Sequence, residues 1–520
     1  MVKLKRKWSE KIMKMRKLEL LSKDEIELIH SSSLDLLSSV GIKIDSEETR
    51  RLLVKKGAET KSDSKFVKFP EELVKEHLKT VPDAFSVYGP DGSFSFEVSK
   101  NSMVFATIGT PVKIYDPTRT SGIKRTILDD TINQIRIVDY LENISCSNLD
   151  VWPNDISYTA IHAHCIYQWA KNTKKPYGMG CVGRLASQDM INMVSIVVGG
   201  DEELIKRPRL IGYFSPTSPL HFPQIMTNGF EVFAKYKQPT IIPPEALAGT
   251  SAPVTLAGLL TQTNAEIIGG AVLSQLYNPG APIFYGTVSH ITDMRSGNSA
   301  MGSVETGLIT AGIAQLARFY NIPSRGPGLV TDSKLLDLQN GFERYQTLLL
   351  AAQAGINYIT CAGTYEATLV EALELLVIDD ELAGMVKRAT EGINVNEETI
   401  GLETIKKVAT SDKPGANFLA ERHTRKFMKQ ELYMPIHKLS NRDRRTTWHK
   451  KGAKDIVATA KEKVDQILNG FVPKDLSFEI ESELQCYIKK VEERTLDYYM
   501  NAEGLRSGTV SLPGTDVTIN

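Results

Sequence analysis

Residues 281–330 read "APIFYGTVSHITDMRSGNSAMGSVETGLITAGIAQLARFYNIPSRGPGLV". A short apolar run from Ala281 to His290 gives way to a polar loop. A helical pattern then runs from Gly302 to Tyr320, and a second short apolar run follows from Ile322 to Val330. Strand, helix, strand is the unit that parallel neighbours require, because the chain must return along the sheet before it can pair in the same direction.

The same rhythm extends in both directions. Upstream, "CSNLDVW" precedes "SYTAIHAHCIYQWAKN", "KPYGMGC" precedes "SQDMINMVSIVVGG", "RLIGYFSPTSPL" precedes "TNGFEVFAKYK", and "QPTIIPPEAL" precedes "APVTLAGLLTQTNAEIIGGAVLSQLY". Downstream, "IPSRGPGLV" precedes "DLQNGFERYQTLLLAAQAG", and "INYITC" precedes "ATLVEALELLVI". Seven such units are visible, and either "MVFATIG" or "VKIYD" supplies an eighth. That number predicts an α/β fold of the TIM (β/α)8 barrel type rather than a doubly wound sheet. No strand runs into a Gly-x-Gly-x-x-Gly helix opening and no P-loop is present, so nucleotide folds lose their support.

Residues 1–100 read as an N-terminal α+β extension. Ser22 and Glu25 form a capping box before "KDEIELIHSSSLDLLSSVG", "FPEELVKEHLKTV" is a second helix, and "FSVYGPDGSFSFEV" is a hairpin. The barrel occupies 101–400. Charged helical patterns fill 401–503 and are expected to lie on the barrel, and 504–520 is a Gly-, Ser- and Thr-rich tail.

The chain of 520 residues carries 62 basic and 62 acidic side chains and is 42% hydrophobic. Balanced charge argues against a nucleic-acid partner, and the basic start soon meets "KDEIELIH", reading as a solvated amphipathic helix. The most apolar stretch, around "IIGGAVLSQLYNPGAPIFYG", is too broken to span a bilayer. Cys146, Cys165, Cys181, Cys361 and Cys486 show no paired spacing, and charges interrupt the first twenty residues. A cytoplasmic enzyme is expected.

Barrel sites lie where strands end and βα loops begin. That rule selects Asn148, Asp150, Trp152, Tyr177, Cys181, Tyr213, Ser215, His221, Glu245, Tyr285, His290, Arg295, Glu305, Asp332, Lys334, Tyr358, Tyr365 and Glu366. Rings and carboxylates recur together, which suits a cation, above all a quaternary ammonium held by ring faces. Structural roles compete: Asp332 as a helix cap, Tyr285 and Tyr358 as packing, Asp150 and Trp152 as a turn residue and a core ring. His162 and His164 in "HAH" do not share a helix face, and no cluster has zinc-ligand character, so no metal is expected. No nucleophile, base and orienter set appears, and no Gly-x-Ser-x-Gly elbow.

Longer segments carry a resemblance. "LSKDEIELIHSSSLDLLSSVGI", "APVTLAGLLTQTNAEIIGGAVLSQLYNPGAPIFYG", "DMRSGNSAMGSVETGLITAGIAQLARFYNIPSR", "TDSKLLDLQNGFE", "LVIDDELAGMVKRATEGINV" and "PGANFLAERHTRKFMKQELYMPIHKLSNRDRRTTW" occur in order. On these the chain, from about Leu21 to Gly470, resembles the trimethylamine methyltransferase family of corrinoid-dependent amine methyltransferases. The resemblance implies a TIM barrel that moves a methyl group to the cobalt of a cognate corrinoid protein. Cob(I)alamin and methylcobalamin reside on that partner, so no stably bound cofactor is expected. The family's trimethylamine enzymes carry pyrrolysine in the barrel, whereas every position here is a standard residue. That departure resembles the non-pyrrolysine branch, which includes glycine betaine methyltransferase and acts on quaternary amines such as glycine betaine, proline betaine or carnitine.

Under this reading Tyr115, Trp152, Tyr213, Tyr285 and Tyr358 are candidates for an ammonium cage. Glu305 and Asp332 would tune the field. His290, Arg295 or Arg325 would receive a substrate carboxylate, His290 with Glu305 and Asp332 forming the catalytic set. Gly326 and Gly328 would let the corrinoid ring approach, with Lys334 beside them or salt-bridged within the rim. His423, Arg425 and Arg442 brace the barrel or touch the partner. Three alternatives stay open: a tertiary amine, another methyl donor, or a non-catalytic betaine-binding barrel. A homo-oligomer also stays open.

Overall fold

The computed structural model describes residues 17–62, 64–108, 111–148 and 151–505. Eight parallel strands close into a barrel: β1 Val104–Thr107, β2 Ile144–Asn148, β3 Tyr177–Gly180, β4 Leu210–Tyr213, β5 Thr240–Ile242, β6 Ile283–Gly286, β7 Ser324–Pro327 and β8 Tyr358–Ala362. Each is followed by a helix: α1 Leu128–Tyr140, α2 Ile161–Asn172, α3 Arg184–Val198, α4 Gln224–Lys235, α5 Leu256–Tyr277, α6 Val304–Tyr320, α7 Leu338–Ala354 and α8 Leu373–Thr390. This is the (β/α)8 architecture that the sequence predicts, with β8 pairing to β1 to close the ring. "MVFATIG" supplies β1. "VKIYD" instead forms Lys113–Tyr115 in a separate four-stranded sheet with Ile123–Arg125, Thr364–Tyr365 and Val370–Glu371.

The strands are buried on both faces, which is why their sequences run apolar without a clear alternation. The 22-residue α5 is buried along almost its whole length because the N-terminal helix Lys23–Ser39 covers the side turned away from the barrel. Two of its buried polar side chains pair with neighbouring segments: Asn264 Nδ2 donates to Ser33 Oγ at 2.9 Å, and Glu266 accepts from Leu220 N–H at 2.8 Å. Among the described residues no helix is long and apolar enough to cross a membrane.

The capping box at Ser22 and Glu25 forms as expected, and so does the hairpin of Phe85–Tyr88 with Ser95–Val98. The hairpin plugs the N-terminal end of the barrel. Val87 and Val98 are fully buried, Phe85 meets Phe284 edge-on with centroids 4.9 Å apart, and Phe96 lies 6.2 Å from Tyr358. The barrel is therefore closed at its floor and can open only at the strand C-termini.

At the other end of the chain, the helices Ile456–Asn469 and Phe478–Glu492 pack on α1 and α8, and on α2 and α3, respectively. "ESELQCYIKKVEERTLDYYMNA" reads as one helix in sequence but breaks in two. Thr495 caps a new helix, Leu496–Ala502, by accepting from Tyr498 N–H. Asp150, most of the basic N-terminal stretch and the tail beyond Leu505 lie outside the described residues.

Candidate active site

A cavity of about 470 Å³ sits at the C-terminal ends of the strands, and every strand or the loop after it reaches it. Ile108 follows β1, Asn148 ends β2, Gly178 to Gly180 lie in β3, and Tyr213 ends β4. Pro243 follows β5, Val288 follows β6, and Arg325 and Cys361 lie in β7 and β8. The size is ordinary for a small-molecule site and the lining is mostly apolar.

One wall is built across three strands. Tyr213 Oη donates to Asn148 Oδ1 at 2.7 Å, and Asn148 Nδ2 donates to the Thr107 carbonyl. The Asn148–Tyr213 bond passes directly over β3, where a Cβ on Gly178 would stand 1.7 Å from Asn148 Oδ1. Glycine is required there because the space is already filled. Trp152 and Tyr158 extend this wall, with ring centroids 5.9 Å apart. Burial raises the Tyr158 phenol to about 12, so the ring stays neutral at physiological pH.

Arg325 occupies the facing side. In the closed order of the barrel, β7 lies opposite β3, so Arg325 projects from the strand facing the two glycines. It is fully buried. One guanidinium nitrogen donates to the Thr287 carbonyl, and another donates to Thr360 Oγ1 at 2.6 Å. Its Nε has no hydrogen-bond partner and, among the described residues, no carboxylate pairs with it. A buried cation left without an anion is costly, and this one lines the cavity.

Backbone strain gathers beside it. A bulge in β8 leaves Cys361 at φ +82°, and Glu366, Ala367 and Thr368 follow one another in the left-handed region. Cys361 and Thr368 both line the cavity. Non-glycine residues persist in that region only where their surroundings over-determine them, as binding sites often do.

The C-terminal helix Leu496–Ala502 covers the β2–β4 side of the mouth, bringing Tyr499, Met500 and Glu503 to the cavity. Two buried carboxylates hold it down. Asp189 on α3 accepts from His162 Nε2 at 3.0 Å, Tyr487 Oη at 2.8 Å and Arg494 at 2.5 Å. Burial works against ionisation of Asp189, but the hydrogen bonds from His162 and Arg494 outweigh it and hold the carboxyl below its ordinary value. Glu503 accepts from the backbone N–H groups of Arg184 and Leu185 at 2.9 and 2.8 Å, capping α3, and from Asn228.

Of the residues expected at the site, the cavity unites Trp152, Tyr213 and Arg325, and it includes Asn148, Ser215 and Glu245 from the wider shortlist. The others among the described residues do not line it. Tyr285 faces outward, stacked on Tyr320 and donating to Asn264 Oδ1 at 2.6 Å, because its neighbour Phe284 takes the inward position. Tyr358 does point inward, but at the start of β8, one layer down against the hairpin plug. Tyr115 belongs to the outer four-stranded sheet.

His290 is buried in a loop sheet, bonded to the Val288 carbonyl and to Ser299 Oγ. Arg295 sits in an exposed turn around Asp293. Glu305 lies in the first turn of α6. Asp332 ties two rim loops together by accepting from Gly302 N–H at 2.9 Å. Burial raises its carboxyl, opposed by that bond and reinforced by the Glu343 carboxylate nearby. Lys334 is exposed and folds back onto the Asp332 carbonyl. Gly326 and Gly328 are closely packed: an added Cβ would strike Thr310 on α6 at 2.6 Å in the first case, and Ile359 on β8 at 2.7 Å and Leu348 Cα on α7 at 3.3 Å in the second. They serve close packing within the barrel wall and against its helices rather than the approach of a ligand.

Sequence reasoning missed Tyr158, His162, Met190 and Tyr499. The first three lie on or just before α2 and α3, where a helical run gives no sign of which turn reaches the mouth. For Tyr499 a signal existed: Thr495 is a helix-start residue inside a helical run. Among the described residues, no three His, Cys, Asp or Glu side chains gather as ligands for a metal ion.

Known proteins share this sequence over nearly its full length. The family model described as trimethylamine methyltransferase (MTTB) matches residues 2–495. A glycine betaine methyltransferase of Desulfitobacterium hafniense (strain Y51) is 31% identical over 475 residues, covering 91% of this chain and 97% of that protein. Trimethylamine methyltransferase MttB of Methanosarcina thermophila is 34% identical over 478 residues, covering 90% and 96%. Among solved structures, the monomethylamine methyltransferase MtmB of Methanosarcina barkeri aligns at TM-score 0.47 and 13% identity over 88% of this chain and 89% of that one.

Proposed function

The chain belongs to the trimethylamine methyltransferase family, whose members are corrinoid-protein-dependent N-methyltransferases, and on that premise we propose that its methyl donor is a betaine, a quaternary ammonium that also carries a carboxylate. The acceptor in this reading is the reduced cobalt of a separate corrinoid protein. That group supplies a strong nucleophile, and the barrel supplies the rest.

The observation that carries the proposal is Arg325, a buried guanidinium lining the cavity with an unpartnered Nε and no carboxylate of its own. A carboxylate on the ligand would complete it. Across the barrel, Trp152, Tyr158 and Tyr213 offer ring faces to the ammonium, with Tyr499 on the mouth side. Trimethylamine has no anionic end and would leave Arg325 unpaired. A zwitterion satisfies both sides at once.

The chemistry fits a nearly neutral cage. When the methyl leaves, the nitrogen loses its positive charge, so a strongly anionic pocket would hold the substrate better than the transition state. The carboxylates lining the cavity are few. Glu503 is spent on capping α3, and Glu245 is exposed at the rim. No general base is required, since no proton leaves the methyl group. The residues bind and orient the donor with one methyl toward the mouth, and the covering helix excludes water from one side.

Calorimetry with glycine betaine and with tetramethylammonium tests this. The native chain is expected to bind the betaine more tightly. Arg325→Met should weaken betaine binding by roughly 30-fold or more, the cost of removing one partner of a buried charge pair, while leaving tetramethylammonium unchanged. Equal losses for both ligands would reject the assigned role.

A further inference from the structure

His162 lies in the first turn of α2, on the side of the mouth that the covering helix closes. It is only 8% exposed, yet it lines the cavity. An ionised carboxylate can only accept, so the 3.0 Å contact with Asp189 requires the proton on His162 Nε2. That fixes the tautomer and leaves Nδ1 as the free nitrogen. Among the described residues Nδ1 has no hydrogen-bond partner.

The charged and titratable groups packed around the ring come from three elements. Asp189 belongs to α3, Tyr487 and Arg494 bond to that carboxylate from the C-terminal segment, and Tyr499 of the covering helix meets His162 edge-on with centroids 6.3 Å apart. Burial holds the phenols of Tyr158 and Tyr499 well above the ordinary tyrosine value, so neither gives up a proton at neutral pH. Imidazole is the side chain suited to do so. A carboxylate behind one ring nitrogen and a free nitrogen in front is the arrangement of a proton carrier. Trp152 and Tyr158, assigned above to the ammonium, lie on the same side of the cavity, with Arg325 across the barrel.

Resting on the betaine reading, we propose that His162 gives a proton to the nitrogen of the demethylated product and then holds the resulting N–H. A quaternary ammonium has neither a lone pair nor an N–H, so the substrate makes no hydrogen bond to His162. When the C–N bond breaks, its electron pair stays on nitrogen, and cobalt contributes both electrons of the new bond to the methyl carbon. The product is a tertiary amine, a base stronger than imidazole by about four pH units on the lysine scale. The Nδ1–H bond of protonated His162 breaks, the N–H bond of the product forms, and the imidazole is left neutral until solvent protonates it again. Protonation removes the lone pair, so the amine no longer takes the methyl back. Because Nε2–H stays on Asp189 in both states, the covering helix keeps its anchor throughout.

Calorimetric titration of the full chain with glycine betaine and with dimethylglycine, at pH 5.5 and at pH 7.5, reads this proton at equilibrium. Both ligands carry one positive and one negative charge at either pH, but only dimethylglycine has an N–H to donate. Raising the pH should strengthen dimethylglycine binding at least about fivefold more than glycine betaine binding, the effect of one hydrogen bond with a charged partner. In His162→Gln, whose Nε2 keeps the bond to Asp189 but whose side chain takes no proton, the two ligands should respond to pH alike. A native chain that shows the same pH response for both ligands would overturn the proposal and leave the betaine reading standing. So would a difference that survives in the variant. Failure of glycine betaine to bind at either pH would reject the betaine reading itself, and this proposal with it.

Discussion

A single methyl group added at Gly178 would land 1.7 Å from Asn148 Oδ1, the acceptor of the bond from Tyr213. Gly178→Ala should therefore break that bond and displace the ring. Overpacking and the lost buried bond together predict a loss of about 2–4 kcal/mol, readable as a lower midpoint in denaturant, along with weakened betaine binding. An unchanged midpoint would show that the wall relaxes around the methyl. At this scale the sequence was half legible. Trp152, Tyr213 and Arg325 could be placed at strand ends, but Tyr285 and Tyr358 could not be told from them. Inward and outward positions alternate along a strand, and strands buried on both faces conceal the phase of that alternation. Phe284 rather than Tyr285 takes the inward place, and nothing in "IFYG" announces it.

Among the elements, the helix Leu496–Ala502 couples the surface to the cavity. Its anchor Asp189 has a lowered pKa, so the stabilisation it contributes is complete above the unfolded aspartate value of about 3.9 and disappears as the pH falls through the lower folded value. Amide protection of residues 496–502, corrected for intrinsic rates, should stay constant from pH 8 to pH 5 and collapse only in strong acid. Asp189→Asn should release the helix at neutral pH, at a cost of roughly 3 kcal/mol. Loss of protection between pH 7 and pH 6 would contradict this account. The helix itself was legible as a helical pattern, but its break at Thr495 and its turn across the mouth were not. Both depend on Arg494 finding Asp189, some 300 positions earlier in the chain.

For the whole molecule, counting strand–helix units was enough to read the barrel, because local periodicity survives even where burial hides the strand phase. The plugged floor was not readable: the hairpin is plain in sequence, but its insertion beneath Phe284 and Tyr358 is a tertiary event. Among the described residues the floor is closed and one side of the mouth is covered, so in the proposed reaction the cobalt nucleophile would approach from the open side of the mouth. Transfer from a betaine is the central claim, and it can be measured directly. Purified protein would be mixed anaerobically with excess cob(I)alamin, and the Co(I) absorbance followed on adding glycine betaine, tetramethylammonium or trimethylamine. The account predicts that glycine betaine consumes Co(I) fastest and yields one dimethylglycine per cobalt. Consumption driven by trimethylamine while glycine betaine leaves the spectrum unchanged would contradict it.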